Sequence, residues 1–252
     1  QGCELVFHTA SPFITSVKDA QKDLIEPAVL GTENVLESAC KTPSVKRIVL
    51  TSSCAAIYTD AIDTVNAPNR ILTEEIWNTT SSLTYQPYSL SKTLAEKKAW
   101  DIEGRQSQWD LITINPSLVM GPMLNPTGTT SESFNILKQI GDRTMKMGVP
   151  RMGVGLVDVR DVADAHFLAG YTPSAKGRYI TSAHNTDFLE MSLALQEKFG
   201  ASFAIPKSAL PKWLLILIGP LANKLFTRKF IKNNVDIKWN ADNSKIKKDL
   251  NM

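Results

Sequence analysis

Three shortages narrow the field before any motif is read. Cysteine occurs only at Cys3, Cys40 and Cys54, and histidine only at His8, His166 and His184. The odd cysteine count, the wide spacing and the lack of any CxxC pair or His-rich cluster argue against a disulfide framework and a structural zinc site; no metal is expected. Reduced thiols fit a cytoplasmic protein. Long hydrophobic runs are missing too. The most apolar stretch, Trp213 to Ile218 and on to Ala222, is interrupted by Gly219-Pro220 and is too short to span a bilayer. Nor is there an excess of one charge: 28 basic and 25 acidic residues leave +3, too little to imply a nucleic-acid or membrane partner. The balance is uneven, because eight basic and three acidic residues stand from Lys224 onward. That basic end reads as solvated surface. Asn78-Thr79-Thr80 matches a glycosylation acceptor, but nothing else points to secretion.

What is present is a globular composition, 43% hydrophobic and 21% charged over 252 residues. It excludes disorder, collagen and coiled coil, and it allows one large domain or two modest ones. Glu4 to His8 is a short apolar run stopped by Ala10-Ser11-Pro12, a buried strand rather than a signal peptide. A helix is predicted from about Lys18 to Cys40, interrupted by Pro27 and Gly31. Arg47–Thr51 reads as a parallel strand buried on both faces. Residues 59–86 are polar and turn-rich, with one amphipathic piece from Glu74 to Trp77. A second helix covers 87–104, and a strand, Leu111–Ile114, is stopped by Asn115-Pro116. This alternation predicts an α/β fold with a parallel sheet. Beyond a loop at 123–130, helices are expected near 131–146, 160–170, 187–199 and 209–226, with a short strand at 178–180 in a smaller lobe beside the sheet.

Ligands of open parallel sheets bind outside the carboxyl ends of the strands. Three such ends are polar and small here: His8 to Pro12, Thr51-Ser52-Ser53 and Asn115-Pro116-Ser117. Ordinary turn chemistry would produce the same residues. Tyr88 and Lys92 open the second helix four residues apart and share one face. An ammonium at ~4 Å would favour phenolate by about 4 kcal/mol and draw a phenol from ~10 towards ~7. With a serine hydroxyl nearby, that pair suits proton exchange with a carbonyl or alcohol, chemistry that needs a hydride partner. The plain alternative is a surface pair. Asp158, Asp161 and Asp164 flank a helix start and read as caps. Cys54 reads as a small buried hydrophobe.

Ser53 and Tyr88-x-x-x-Lys92 resemble the Ser–Tyr–Lys triad of the extended short-chain dehydrogenases/reductases, in particular the dihydroflavonol and cinnamoyl-CoA reductase subgroup. The resemblance runs through Val6 to Pro12, Pro27 to Leu36, Arg47 to Ser53, Tyr88 to Glu96, Asn115 to Pro122 and Val157 to Ala163, in family order and spacing. It implies a Rossmann-like doubly wound parallel sheet. Residues 1–122 would be the remainder of the dinucleotide-binding domain and 123–252 mainly a substrate-binding lobe, with 150–170 returning to the sheet. It implies a small-molecule carbonyl substrate, either an aldehyde, a ketone or a CoA thioester, and NADP as cofactor, with NAD as the alternative. The protein would be a monomer or homodimer. By the same resemblance Tyr88 donates the proton, Lys92 tunes it and holds the nicotinamide ribose, and Ser53 holds the substrate oxygen, Ser52 being the neighbour confusable with it. Thr9, Ala10, Ser11, Ser52, Pro116, Val119 and Ser131 would line the cofactor. Phe13, Tyr58 and Phe134 would fall near the substrate, or pack in the core.

The sequence departs from the pattern in three ways. The TGxxGxxG phosphate turn and the residue that selects NADP or NAD do not occur in it. By comparison it opens at the family's fourth strand, so a mononucleotide-binding half of roughly 70 residues is expected upstream, and a last stretch is expected after Met252. No asparagine stands near Pro27-Ala28, where relatives carry a fourth catalytic residue. Tyr58 occupies the position five after Ser53, where flavonoid-specific members have asparagine. A nucleotide-sugar epimerase or dehydratase with the same triad, and a non-catalytic fragment, remain the competing readings.

Overall fold

The computed structural model describes residues 2–11, 17–124, 131–222 and 225–252. Strand β1 (Leu5–His8) leads through a π turn, Gln21–Ile25, into α1 (Glu26–Cys40). The predicted helix therefore changes winding just before Pro27, which has no N–H to return to the preceding turn. Strand β2 (Arg47–Thr51) is followed by a short helix α2 (Ala61–Asn66), then α3 (Pro87–Glu103) and β3 (Asp110–Pro116). Next come β4 (Leu118–Met120), α4 (Glu132–Gly141), β5 (Val149–Pro150), β6 (Gly153–Asp158) and α5 (Val159–Tyr171). The chain closes with β7 (Gly177–Thr181), β8 (His184–Asp187), α6 (Phe188–Phe199), β9 (Ala209–Leu210), α7 (Lys212–Ala222), α8 (Arg228–Asn234) and α9 (Ser244–Leu250).

The main sheet has the order β1-β2-β3-β7, with every pair parallel. All four carboxyl ends therefore lie along one edge. Side chains alternate across the strands. Ile48, Leu50 and Leu111 face α1 and α3 in a core with Leu36, Ala99, Ile102 and Trp109. Val49, Ile112 and Ile114 face α5 and α9, with Ala165, Ala169, Tyr179, Ile246 and Leu250. Thr113 and Asn115 alternate with Ile112 and Ile114 and so point to the α3 side, where both reach Glu96.

The structure departs from or refines the local expectations at several places. The strand predicted to stop at Asn115-Pro116 runs through both residues, because Pro116 sits opposite Thr181 at the very end and Ser117 takes the next ladder bond. The strand predicted at 178–180 joins the main sheet beside β3 instead of the smaller lobe. From the 150–170 stretch it is α5 that packs on the sheet, while β6 forms a separate sheet between β4 and β8. In the amphipathic Glu74–Trp77 piece, Glu74 accepts the Ile180 N–H through Oε1, which pins the segment to β7. Finally, the helix expected over 209–226 is α7 alone. The loop at 123–130 and Phe13 lie largely or wholly outside the described residues.

Candidate active site

Ser53 follows β2 at the carboxyl edge. It is extended (φ −163°) and caps the short turn Cys54–Ala56, its side chain accepting from Ala55 N at 3.1 Å. Helix α3 brings Tyr88 to the same edge. Pro87 is its first helical residue and Gln86 before it is left-handed at φ 54°, a conformation rare outside glycine and held here by its surroundings. One neighbour, Tyr85, donates to Asp60 at 2.7 Å, and Asp60 also accepts from Asn233 and Asn234 of α8 at 2.8 and 2.7 Å.

The Ser53 side chain lies beside the Tyr88 hydroxyl, close enough to favour its ionised form, and Lys92 Nζ lies 5.6 Å from the centre of the Tyr88 ring. The three predicted triad residues thus come together. Their electrostatics differ from the expectation. Removal from water pushes the phenol up to about 12, with Ser53 opposing. Burial likewise pushes the Lys92 ammonium down to about 8. Lys92 sits by the ring, yet desolvation sets the direction of the phenol's shift. Lys92 is buried, yet among the described residues no acceptor meets its Nζ. His8, at the end of β1, is close enough that Lys92 adds to the burial lowering its pKa, and His8 Nε2 has no partner among the described residues.

One turn beyond Lys92, Glu96 supports the edge from behind. It is 1% exposed and collects donors from Ser52 Oγ (2.5 Å), Asn115 Nδ2 (2.8 Å), Thr113 Oγ1 (3.1 Å), Trp100 Nε1 (3.3 Å) and Arg178 Nε (2.6 Å). Asn115 Nδ2 also reaches Ser53 O at 3.2 Å. Arg178 stacks on Trp77 at 3.9 Å and donates to the carbonyls of Glu74 and Ile76. Sequence reasoning gave Glu96 and Arg178 no role. The only local signal was the 88, 92, 96 spacing, which puts all three on one helix face.

Of the two serines, Ser53 lies beside Tyr88 and Ser52 turns into the Glu96 network. Thr9 and Ala10 are exposed and Ser11 half-buried just past β1. Pro116 is buried beside Thr181, and the Val119 carbonyl is taken by Ser133 Oγ at 2.6 Å, which fastens α4 to β4. Ser131 caps α4 and Phe134 lies in its first turn, half-buried. Tyr58 packs in the core against Trp239, ring centres 5.7 Å apart, with Cys54, Leu72 and Ile180. Cys54 is buried and its thiol pushed up by desolvation. Asp158 caps α5 by accepting from Arg160 N at 2.8 Å.

A model of the 3-beta hydroxysteroid dehydrogenase/isomerase family matches residues 1–183, a stretch that contains the whole site. The chain belongs to that family. Within this extended short-chain dehydrogenase/reductase group it falls in the dihydroflavonol and cinnamoyl-CoA reductase-like subgroup. It is 41% identical over 202 residues to the cinnamoyl-CoA reductase CAD2 of Medicago truncatula, covering 79% of this chain and 60% of the relative. It is 33% identical over 234 residues to an anthocyanidin reductase of Arabidopsis thaliana, covering 85% and 68%. The chain thus spans about three-fifths of the length of most such relatives, as in the 60% covered of the first. Among solved structures, the yeast methylglyoxal/isovaleraldehyde reductase Gre2 complexed with NADPH superposes with a TM-score of 0.76 at 27% identity, over 99% of this chain and 71% of that one. These matches place the family's Rossmann-like fold on the parallel sheet described above.

Proposed function

We propose that this chain carries the proton-transfer machinery of a nicotinamide-dependent carbonyl reductase. The observation that carries the reading is a half-buried phenol beside Ser53, with the ammonium of buried Lys92 over its ring. At neutral pH a phenol held up at about 12 is protonated, so it is poised to donate. Ser53 orients the substrate oxygen, and Tyr88 gives that oxygen its proton. The phenolate left behind is favoured by the nearby Lys92 ammonium, as an opposite charge favours any ionised group. Two groups that are each costly alone thereby satisfy one another.

The residues fit a nicotinamide nucleotide, because a ribose hydroxyl would supply the acceptor that buried Lys92 lacks among the described residues. Thr9, Ala10, Ser11, Pro116, Val119 and Ser131 would surround it. The reduced cofactor, when bound, supplies the hydride. NADPH is proposed, supported by the Gre2 complex, with NAD as the alternative. The substrate is an aldehyde, ketone or CoA thioester; the cinnamoyl-CoA reductase relative supports the last. The free cysteines fit a cytoplasmic location.

The test is Tyr88→Phe in the full-length natural protein, followed at the nicotinamide absorbance band over a panel of carbonyls. Turnover should fall by ~10²–10⁴ while cofactor binding persists. Unchanged turnover would remove Tyr88 as the donor and end the proposal.

A further inference from the structure

The C-terminal lobe leaves one helix face uncovered. Helix α7 buries Leu215 and Gly219, and Gly219 lies so close to α8 that a Cβ there would meet Ile231 Cδ1 at 2.9 Å. The opposite face carries Trp213, Leu217 and Leu221, each four residues from the next and therefore aligned. They are 67%, 61% and 89% exposed. Three large apolar side chains in line are not the scattered exposed leucines of an ordinary surface. The charge of this stretch of sequence is of one sign. Between Glu197 and Asp236 the sequence has seven lysines and arginines and no acidic residue. Arg228 and Lys232 stand exposed on α8, which packs on α7, and Lys207 is exposed just before it.

We propose that this face docks the protein on an anionic membrane surface. An apolar stripe within a segment whose only charges are cationic, with a tryptophan at one end, is the pattern of a helix lying in the interface plane. Eleven residues span about 16 Å, half of a ~30 Å hydrocarbon core, so the helix lies on the bilayer and does not cross it. A second copy of the chain fits less well. A two-fold contact sets the same patch against itself, which would bring two such cationic segments together. The overall charge of +3 predicted no membrane partner; it averages over a strongly asymmetric distribution.

Co-sedimentation of the full-length natural protein with phosphatidylcholine vesicles, with and without phosphatidylserine, tests this. Binding should appear with phosphatidylserine, weaken with added salt, and blue-shift the Trp213 emission, a shift that Trp213→Phe removes. Leu217→Ser with Leu221→Ser, both at exposed positions where folding is unaffected, should reduce partitioning at least tenfold. Arg228→Gln or Lys232→Gln should each reduce it about fivefold. None of these residues lies in the Ser53–Tyr88–Lys92 site, so turnover serves as the control for folding. Failure to bind phosphatidylserine vesicles, binding that survives both leucine substitutions, or self-association through these residues without vesicle binding would each overturn the proposal.

Discussion

Helix α3 buries two opposite charges one turn apart, and their surroundings could hardly differ more. Lys92 is 7% exposed and no acceptor among the described residues meets its ammonium. Glu96 is 1% exposed and takes donors from five side chains. Burial of a charge is tolerated when it is paired and hydrogen-bonded, and is costly otherwise. Glu96 is therefore a finished piece of architecture, complete in the folded chain by itself. Lys92 has no such set of partners, in keeping with the nucleotide contact proposed for it. The same helix supplies both, so the rigid pair indexes the poised one.

The comparison breaks most visibly at Glu96. Glu96→Ala strands the Arg178 guanidinium, which is 8% exposed at its side chain, without its carboxylate. A loss of about 3–5 kcal/mol in unfolding free energy is expected, read from denaturant titration. A cost below ~1 kcal/mol, the range of surface pairs, would show that the network contributes little to holding the edge.

Lys92→Met should act with the opposite sign. The folded chain holds this ammonium at about 8 against an ordinary 10.5, so between those values the unfolded chain binds more protons and stability rises with pH. At neutral pH the group costs the fold about 3 kcal/mol by this linkage. The methionine variant should therefore unfold at higher denaturant at pH 7 and lose the rise between pH 8 and 10.5, while binding nicotinamide nucleotide more weakly. Tyr88 runs the other way. Held up at about 12 from 10.0, it keeps a proton that the unfolded chain sheds, so its contribution falls as pH rises through that range. A variant less stable than wild type at pH 7 would mean that Lys92 is paired in solution.

The smallest effect is expected at Thr113→Val. It removes one of several donors to Glu96, and the carboxylate keeps the others. About 1 kcal/mol is expected by thermal or chemical unfolding. A loss near that of Glu96→Ala would make the network an all-or-none unit.

The residues themselves account for what was legible. β2 and the strand at 111–114 announced themselves by unbroken apolar runs, and the Ser53, Tyr88 and Lys92 positions by polar strand ends and a four-residue spacing. Ser52 and Ser53 could not be told apart, because the choice depends on which side the extended backbone turns, and that follows from Glu96. Glu96 in turn gains its meaning from Thr113, Asn115 and Arg178, all distant in sequence. The direction of the Tyr88 shift was misjudged for a related reason: spacing tells that an ammonium is near, not how thoroughly water is excluded. Tyr58, expected near the substrate or in the core, is half-buried and packs on Trp239, a partner about 180 residues away that no local pattern reveals.

Glu96 and Arg178 are separated by 82 residues, and Arg178 belongs to the last strand that enters the main sheet. On a ribosome adding about 5–20 residues per second, roughly 4–16 seconds pass between the emergence of the two. Throughout that interval the carboxylate has no counter-ion, and a lone charge stays in water. Until then the carboxylate can draw only on the neutral donors Ser52, Trp100, Thr113 and Asn115, so its network is incomplete. Translation must run far past the site before the site can close, which makes its assembly a late event in the life of the nascent chain.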